Sequence, residues 1–302
     1  MKILLIGKNG QIGRSLHNIL KGKHKIEAIG REDCDLSNEL EVQRLLKNLK
    51  IDLIINSAAY TNVEEAESNS KKVFLINSNA VKIISLFAKE KKIPTINFST
   101  DYVFDGIKIE KYIEVDNMNP LNIYGKSKMF CENNAKINDK HIIIRTSRVH
   151  SPFGSNFINK IITLAEKKAE LKIVNDQIGT PTSSELIAKV IHTMIEKFDF
   201  QNDNHIYGTY HVVAKGSCSW YDYTRFIVEK VLDNGFRLKS NLNNILEIPS
   251  EDFKSNVIRP KNSILSTQKI ELLLSLDLPE WKDDVKKTIE LIINKKKNKL
   301  YV

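Results

Sequence analysis

Lys2-Ile3-Leu4-Leu5-Ile6-Gly7-Lys8-Asn9-Gly10-Gln11-Ile12-Gly13 decides the fold. An apolar run of strand length passes directly into three glycines spaced GxxGxxG, and helical periodicity follows over roughly 10–21. Glycines in such a turn allow tight reversal, close approach of backbone to a pyrophosphate, and tight packing of helix on strand. The helix N-terminus then offers N–H donors and a partial positive charge to an anion. The spacing is not the GxGxxG of many dehydrogenases, and an isolated glycine triplet carries little. Its place between an apolar strand and an amphipathic helix makes it a nucleotide-binding turn rather than an empty connection.

Outward from that turn the alternation continues. Apolar runs at Ile26 to Ile29, Leu53 to Asn56, Thr95 to Ser99 and Ile142 to Ile144 are separated by helical patterns over roughly 38–49, 70–91 and 122–137. Apolar strands separated by helices predict an α/β protein with a Rossmann-type, doubly wound parallel sheet covered on both faces. Within 70–91, Val73, Leu75, Ile76, Ala80, Ile83, Ile84, Leu86 and Phe87 form a broad apolar stripe that should lie against the sheet. After about residue 150 the rhythm changes to turn-rich pieces. Short strands at Lys172 to Val174 and Thr209 to Val213 mix there with helices near 155–168, 183–198 and 219–234. The expected division is a dinucleotide-binding domain at 1–150 and a smaller mixed α/β substrate domain at 151–302, some of whose segments return to the sheet.

Composition sets bounds. Hydrophobic residues make up 41% and charged residues 27%, an ordinary globular balance, and the net charge is +9. The lysines are scattered rather than striped, which describes a solvated basic surface, and no helix-turn-helix, zinc or aromatic RNA-binding motif accompanies them, so no nucleic acid partner is expected. The run Lys295, Lys296, Lys297 and Lys299 is expected to be a solvated tail. Three widely spaced cysteines, Cys34, Cys131 and Cys218, suit a reducing cytoplasm and exclude a disulfide framework or structural zinc site. The opening apolar run is too short for a signal peptide, and no stretch reaches the length of a membrane span.

The end of the second strand selects the dinucleotide. An acidic residue there favours NADH by binding the ribose hydroxyls. This strand ends Ile29-Gly30-Arg31, and Arg31, assisted by Lys8, can pair with a 2′-phosphate, which points to NADPH over NADH. Asp35 is placed to reach the adenine edge. Asn56-Ser57-Ala58-Ala59-Tyr60 ends the third strand with small residues where a cofactor must pass close to the backbone.

Tyr124-Gly125-Lys126-Ser127-Lys128 gives a YxxxK pair on one face of a helix. A phenol with its ordinary pKa of about 10 is a poor acid–base group near neutrality; an adjacent ammonium favours the phenolate and lowers that value. The pair is then a plausible proton donor to an alkoxide formed by hydride transfer. YxxxK alone is common on surface helices. Upstream, Phe98-Ser99-Thr100-Asp101-Tyr102-Val103-Phe104 lies at the carboxyl end of a strand, the edge where open parallel sheets bind ligands. Thr100 can hold a carbonyl there, or merely cap the turn.

With the glycine turn, Ser-Thr-Asp-Tyr-Val-Phe and Tyr-x-x-x-Lys in this order, the chain resembles the extended short-chain dehydrogenase/reductase superfamily. Asn175-Asp176-Gln177-Ile178-Gly179-Thr180-Pro181-Thr182, Trp220-Tyr221-Asp222-Tyr223, Arg259-Pro260-Lys261-Asn262-Ser263 and Leu278-Pro279-Glu280-Trp281 narrow the resemblance to the dTDP-4-dehydrorhamnose reductase family. It implies NAD(P)H-dependent reduction at C4 of a nucleotide-linked 4-keto-6-deoxy sugar for cell-surface polysaccharide. Tyr124 would be the proton donor, Lys128 would tune it and hold the nicotinamide ribose, and Thr100 would orient the carbonyl. For the cofactor it implies Gly7, Asn9, Gly10, Gln11, Ile12 and Gly13 in the first turn, Arg31, Asp35 and Leu36 after the second strand, and Ala58, Ala59, Tyr60 and Ser99 beside Tyr124 and Lys128. For the substrate it implies Val63, Thr100, Asp101, Tyr102, Asn156, Trp220 and Arg259, the last as partner of the diphosphate.

Two positions depart from the family pattern. Where the family reads Thr-Ser-Trp-Val-Tyr, this chain has Thr146-Ser147-Arg148-Val149-His150, which alters the sugar pocket. Some members dimerise through Mg²⁺ held by three glutamates; Glu185 and Glu290 match, but Ser15 occupies the first position, so no metal is expected and the chain is expected as a monomer or homodimer. His150 and His211 have no partner at metal-like spacing and are expected to be packed or surface residues. Alternatives to the reductase are an epimerase or dehydratase of the same superfamily, which retains its cofactor, and a non-catalytic NADP-binding regulatory subunit.

Overall fold

In the computed structural model, which describes residues 1–300 and side chains as far as 297, the first half alternates β1 (Lys2–Ile6), α1 (Gln11–Leu20), β2 (Lys25–Ile29), α2 (Glu39–Leu46), β3 (Leu53–Asn56), α3 (Val63–Ser68), α4 (Ser70–Phe74), α5 (Ala80–Lys91), β4 (Thr95–Thr100), α6 (Ile123–Ala135) and β5 (His141–Thr146). The second half adds β6 (Val149–His150), α7 (Phe157–Lys167), β7 (Leu171–Val174), β8 (Ile178–Gly179), β9 (Thr182–Ser183), α8 (Ser184–Lys197), β10 (Gly208–His211), β11 (Cys218–Ser219), α9 (Trp220–Asp233), β12 (Ile245–Ile248), α10 (Gln268–Leu274) and α11 (Trp281–Leu300).

The main sheet has six parallel strands in the order β10-β5-β4-β3-β1-β2. The chain steps from β1 to β2 on one side and resumes with β3 on the other, so β1 and β3 flank the switch point at which such sheets open a ligand crevice. The continuous apolar run of β1 is explained by its central position. Ile3 and Leu5 point into the core beneath α1 and α8, Leu4 and Ile6 into the core beneath α2 and α5, and all four are buried. Each contributes about 1.5–3 kcal/mol of burial. Helices α1 and α8 meet through a buried 2.8 Å hydrogen bond between the Ser15 and Ser184 hydroxyls. Strand β10 belongs to the second half of the chain yet completes the sheet beside β5.

Three sequence expectations change. The single helix over 70–91 is interrupted at Leu75–Asn79 by a wider π-type turn, in which the Ala80 N–H donates to the Leu75 carbonyl. Asn77, Ser78 and Asn79 supply short polar side chains that compete with regular helical bonding. Strand β12, absent from the sequence reading, pairs in parallel with β7; Leu246 and Glu247 are exposed, so no continuous apolar run marks it. The Lys295–Lys299 run is not a free tail. It belongs to α11, where Trp281, Val285, Ile289, Ile292 and Ile293 are buried at helical spacing. Lys296 pairs with Glu166 at 2.5 Å, while the Lys299 side chain lies outside the described residues.

His150 and His211 are both fully buried. Burial pushes His150 down to about 3, and burial, with the Arg145 guanidinium, does the same to His211. The unfolded chain takes up these protons near pH 6.5 whereas the folded chain cannot. Their contribution to stability is therefore complete above about pH 6.5 and is lost as pH falls from there toward 3, by up to about 1.4 kcal/mol per pH unit for each histidine. Melting temperature is expected to drop steeply between pH 7 and pH 5, and less so in His150→Asn; equal melting at both pH values would contradict this.

Candidate active site

The glycine turn closes against β3. Gly7 has φ +92°, and a Cβ there would lie 2.7 Å from the Ala58 nitrogen; one on Gly13 would lie 2.0 Å from the Gly7 carbonyl oxygen. The first turn of α1 has no side-chain cap at Gly10, leaving its N–H groups free for an anion. This cradle fits a dinucleotide pyrophosphate. Gln11 accepts from Ser151 Oγ at 2.8 Å and Asn156 Nδ2 at 3.1 Å, which ties the turn to the chain leading into α7. Gly13→Ala is expected to weaken NADPH binding about tenfold or more and to cost about 1–3 kcal/mol of stability, checked by titrating nucleotide fluorescence and by melting.

Around the cradle, Asn9 Nδ2 donates to both Glu32 carboxylate oxygens at 3.0 and 3.1 Å. Lys8 is held by Asp33 at 2.5 Å and Glu32 at 3.1 Å, so its charge is already matched. Arg31 is 71% exposed at the end of β2, its Nη2 3.7 Å from Asp35. Asp35 accepts from Ser37. The Leu36 side chain is buried with Cys34 and Val42, and the buried Ser99 hydroxyl donates to Glu132 at 2.6 Å.

Thr100 ends β4, and Tyr124 and Lys128 stand one turn apart at the start of α6. Asn122 caps that helix, its Oδ1 accepting from the Gly125 N–H at 2.8 Å. A Cβ on Gly125 would lie 2.2 Å from the Tyr102 carbonyl oxygen, so the absent side chain lets α6 start against the turn after β4. The Tyr102 and Tyr124 rings meet edge to face at 5.9 Å. Asn77, inside the π-type turn, bonds both backbone groups of Tyr60 and donates to Ser127 Oγ at 2.9 Å; Ser127 in turn donates to the Tyr124 carbonyl. Asn77 thus links the loop after β3 to the helix bearing Tyr124. No motif marks it in the sequence, because its effect depends on a turn that local periodicity conceals.

The expected depression of the Tyr124 pKa by Lys128 is corrected. Burial pushes the Tyr124 phenol up, opposed by the Thr100 hydroxyl. The Lys128 ammonium is buried and directed at the Phe98 carbonyl, 2.6 Å away, rather than at the phenol. Asp101 is also buried; burial raises its pKa while the Ser263, Ser147 and Thr100 hydroxyls pull the other way.

Beside these residues opens a cleft of about 820 Å³ whose walls include Val63, Tyr102, Phe157, Gln177, Trp220 and Arg259, with Lys160, Lys168 and Lys172 on its rim. Of the expected substrate residues, Val63, Tyr102, Trp220 and Arg259 line it. Thr100 and Asp101 are buried beneath, bonded to each other at 2.9 Å. Asn156 is not among the residues lining the cleft: its Oδ1 caps α7 and its Nδ2 donates to Gln11 and the Ser151 carbonyl. Its neighbour Phe157 reaches the cleft instead, 4.5 Å from the Trp220 ring. Arg259 pairs with Glu64 at 2.6 Å. Arg148, at φ +44°, stacks over Trp220 at 3.9 Å and donates to the Cys218 and Gln177 carbonyls at 2.9 and 2.7 Å. It fixes the Trp220 wall, a role that the sequence marked only as a departure.

Residues 1–293 match the family described as the RmlD substrate binding domain. The chain is 36% identical over 298 residues to the dTDP-4-dehydrorhamnose reductase of Escherichia coli K12, covering 96% of this chain and 97% of that one. It is similar to the crystal structure of a dTDP-4-dehydrorhamnose reductase from Clostridium acetobutylicum, with TM-score 0.87, 34% identity and coverage of 97% and 99%. The Bacillus anthracis enzyme of that name, solved in complex with NADP, gives TM-score 0.86 at 31% identity, with coverage of 95% and 98%.

Proposed function

The chain belongs to the RmlD substrate binding domain family, and from that membership we propose that it reduces dTDP-4-dehydro-L-rhamnose to dTDP-L-rhamnose with NADPH. The observation that carries this reading is Tyr124, backed by Thr100 and Lys128 and packed against Tyr102, which lines the cleft. Bound NADPH supplies the hydride that reaches C4 of the sugar. Tyr124 gives its O–H proton to the resulting alkoxide. A phenol kept protonated by burial is in the correct form for that donation at neutral pH. Thr100 holds the sugar oxygen next to the phenol, and Lys128, whose ammonium has donors beyond the one used on Phe98, is left to hold the nicotinamide ribose.

Residues 1–150 would hold the dinucleotide, with Arg31 as partner of its 2′-phosphate, and the segments beyond 150 would close over the sugar. Trp220 and Phe157 offer aromatic walls to base and sugar. Arg259 and the lysines at 160, 168 and 172 supply the positive field for the diphosphate, with Arg259 exchanging Glu64 for phosphate oxygens. No helix among the described residues is long and apolar enough to cross a membrane. The test is NADPH oxidation with a panel of dTDP-, UDP- and GDP-linked 4-keto-6-deoxy sugars. Turnover with the dTDP-linked substrate is expected; silence across the panel contradicts the proposal, and protein purified with saturating, tightly held cofactor would favour an epimerase or dehydratase.

A further inference from the structure

On the outer surface, remote from the cleft in sequence and in function, three metal-binding side chains converge where the turn after α1 meets the C-terminal half of α8. His24 lies in the turn between α1 and β2, and His192 and Glu196 stand one turn apart on α8. One ligand atom from each falls within 4.8 Å of the other two. His24 Nε2 is 3.3 Å and His192 Nδ1 3.9 Å from Glu196 Oε1. The His24 side chain is only 9% exposed, its Nε2 has only the 3.3 Å contact with Glu196, and among the described residues neither His24 Nδ1 nor His192 Nδ1 has a hydrogen-bond partner. Buried polar nitrogens left in this state are costly and uncommon. Their aim toward a shared carboxylate gives them a use.

We propose that His24, His192 and Glu196 form a Zn²⁺ site. Tetrahedral Zn²⁺ with bonds of about 2.0–2.1 Å sets its ligand atoms about 3.3 Å apart, which the His24–Glu196 separation already meets, while the His192–Glu196 separation of 3.9 Å has to shorten. Two imidazoles and one carboxylate suit Zn²⁺, whereas Mg²⁺ and Ca²⁺ prefer oxygen ligands throughout. Glu196 is 44% exposed, which leaves the fourth position to water. The opposing group is Lys23, whose Nζ lies 3.1 Å from His192 Nε2 and 3.7 Å from Glu196; at 56% exposure it is free to swing into solvent. The metal would pin the connection between α1 and β2 to α8, adding a second tie between these elements beside the Ser15–Ser184 hydrogen bond. These ligands are not at positions 15, 185 and 290.

The full chain is loaded with ZnCl₂, desalted and assayed for metal by mass spectrometry, alongside His192→Gln and Glu196→Gln on the surface of α8 and the less exposed His24→Gln. About one Zn²⁺ per chain is expected in the wild type, with retention and affinity lowered about tenfold or more in each variant. Co²⁺ loading should give the strong visible bands of a four-coordinate site, and Zn²⁺ should raise the melting temperature of the wild type alone. NADPH oxidation should persist in the surface variants, showing that they fold. No retained metal in the wild type, or equal retention in the wild type and the folded surface variants, would overturn the site.

Discussion

Tyr124→Phe is expected to lower kcat by about 100- to 10,000-fold while NADPH and the nucleotide sugar still bind. The phenylalanine ring preserves the edge-to-face contact with Tyr102 and the α6 backbone, and only the proton donor is lost. Steady-state kinetics together with nucleotide titration separate the two effects. A fall in binding to match the fall in kcat would show that Tyr124 acts mainly in recognition. Lys128→Met is expected to behave differently. It removes a buried ammonium bonded to the Phe98 carbonyl, so both nucleotide affinity and turnover should decline.

The second large effect is on stability. Arg145, on β5, donates from Nε and Nη2 to the two Glu132 carboxylate oxygens on α6, both at 2.8 Å, and the pair is almost fully buried. Ser99 donates to the same carboxylate at 2.6 Å, and the guanidinium also stacks on Phe104 at 5.0 Å. Glu132→Ala strands the guanidinium in the core and is expected to cost about 3–5 kcal/mol, lowering the melting temperature by about 5–8 °C. Replacing both partners by apolar residues, Glu132→Leu with Arg145→Met, should cost much less, because no charge is left unpaired. A double variant as unstable as Glu132→Ala would show that packing rather than charge dominates there. The pair ties the helix carrying Tyr124 to the strand beside Thr100, so the single variant should lose activity along with stability.

The parallel sheet was legible because β1, β3, β4 and β5 are buried on both faces, which forces uninterrupted apolar runs such as Leu53 to Ile55. The glycine turn was legible because backbone contacts at Gly7 and Gly13 admit no side chain. Features that depend on tertiary context were not. Asn77 acts only through a break in a helix whose apolar stripe reads as continuous, and β12 is a strand only because β7 lies beside it. Asn156 was expected at the substrate and Phe157 carried no expected role, whereas the capping side chain of Asn156 turns toward the helix start and its successor lines the cleft. The Lys128 effect on Tyr124 was inferred from sequence spacing alone; the fold directs that ammonium to the Phe98 carbonyl.

The most direct test of the central claim supplies NADPH deuterated at the transferable C4 position together with dTDP-4-dehydro-L-rhamnose, and reads the sugar product by proton NMR. A single deuterium at C4 of dTDP-L-rhamnose, formed by the wild type and not by Tyr124→Phe on the same timescale, is the predicted result. Deuterium appearing at no sugar carbon, or a variant lacking the phenol that labels C4 as fast as the wild type, would contradict the account.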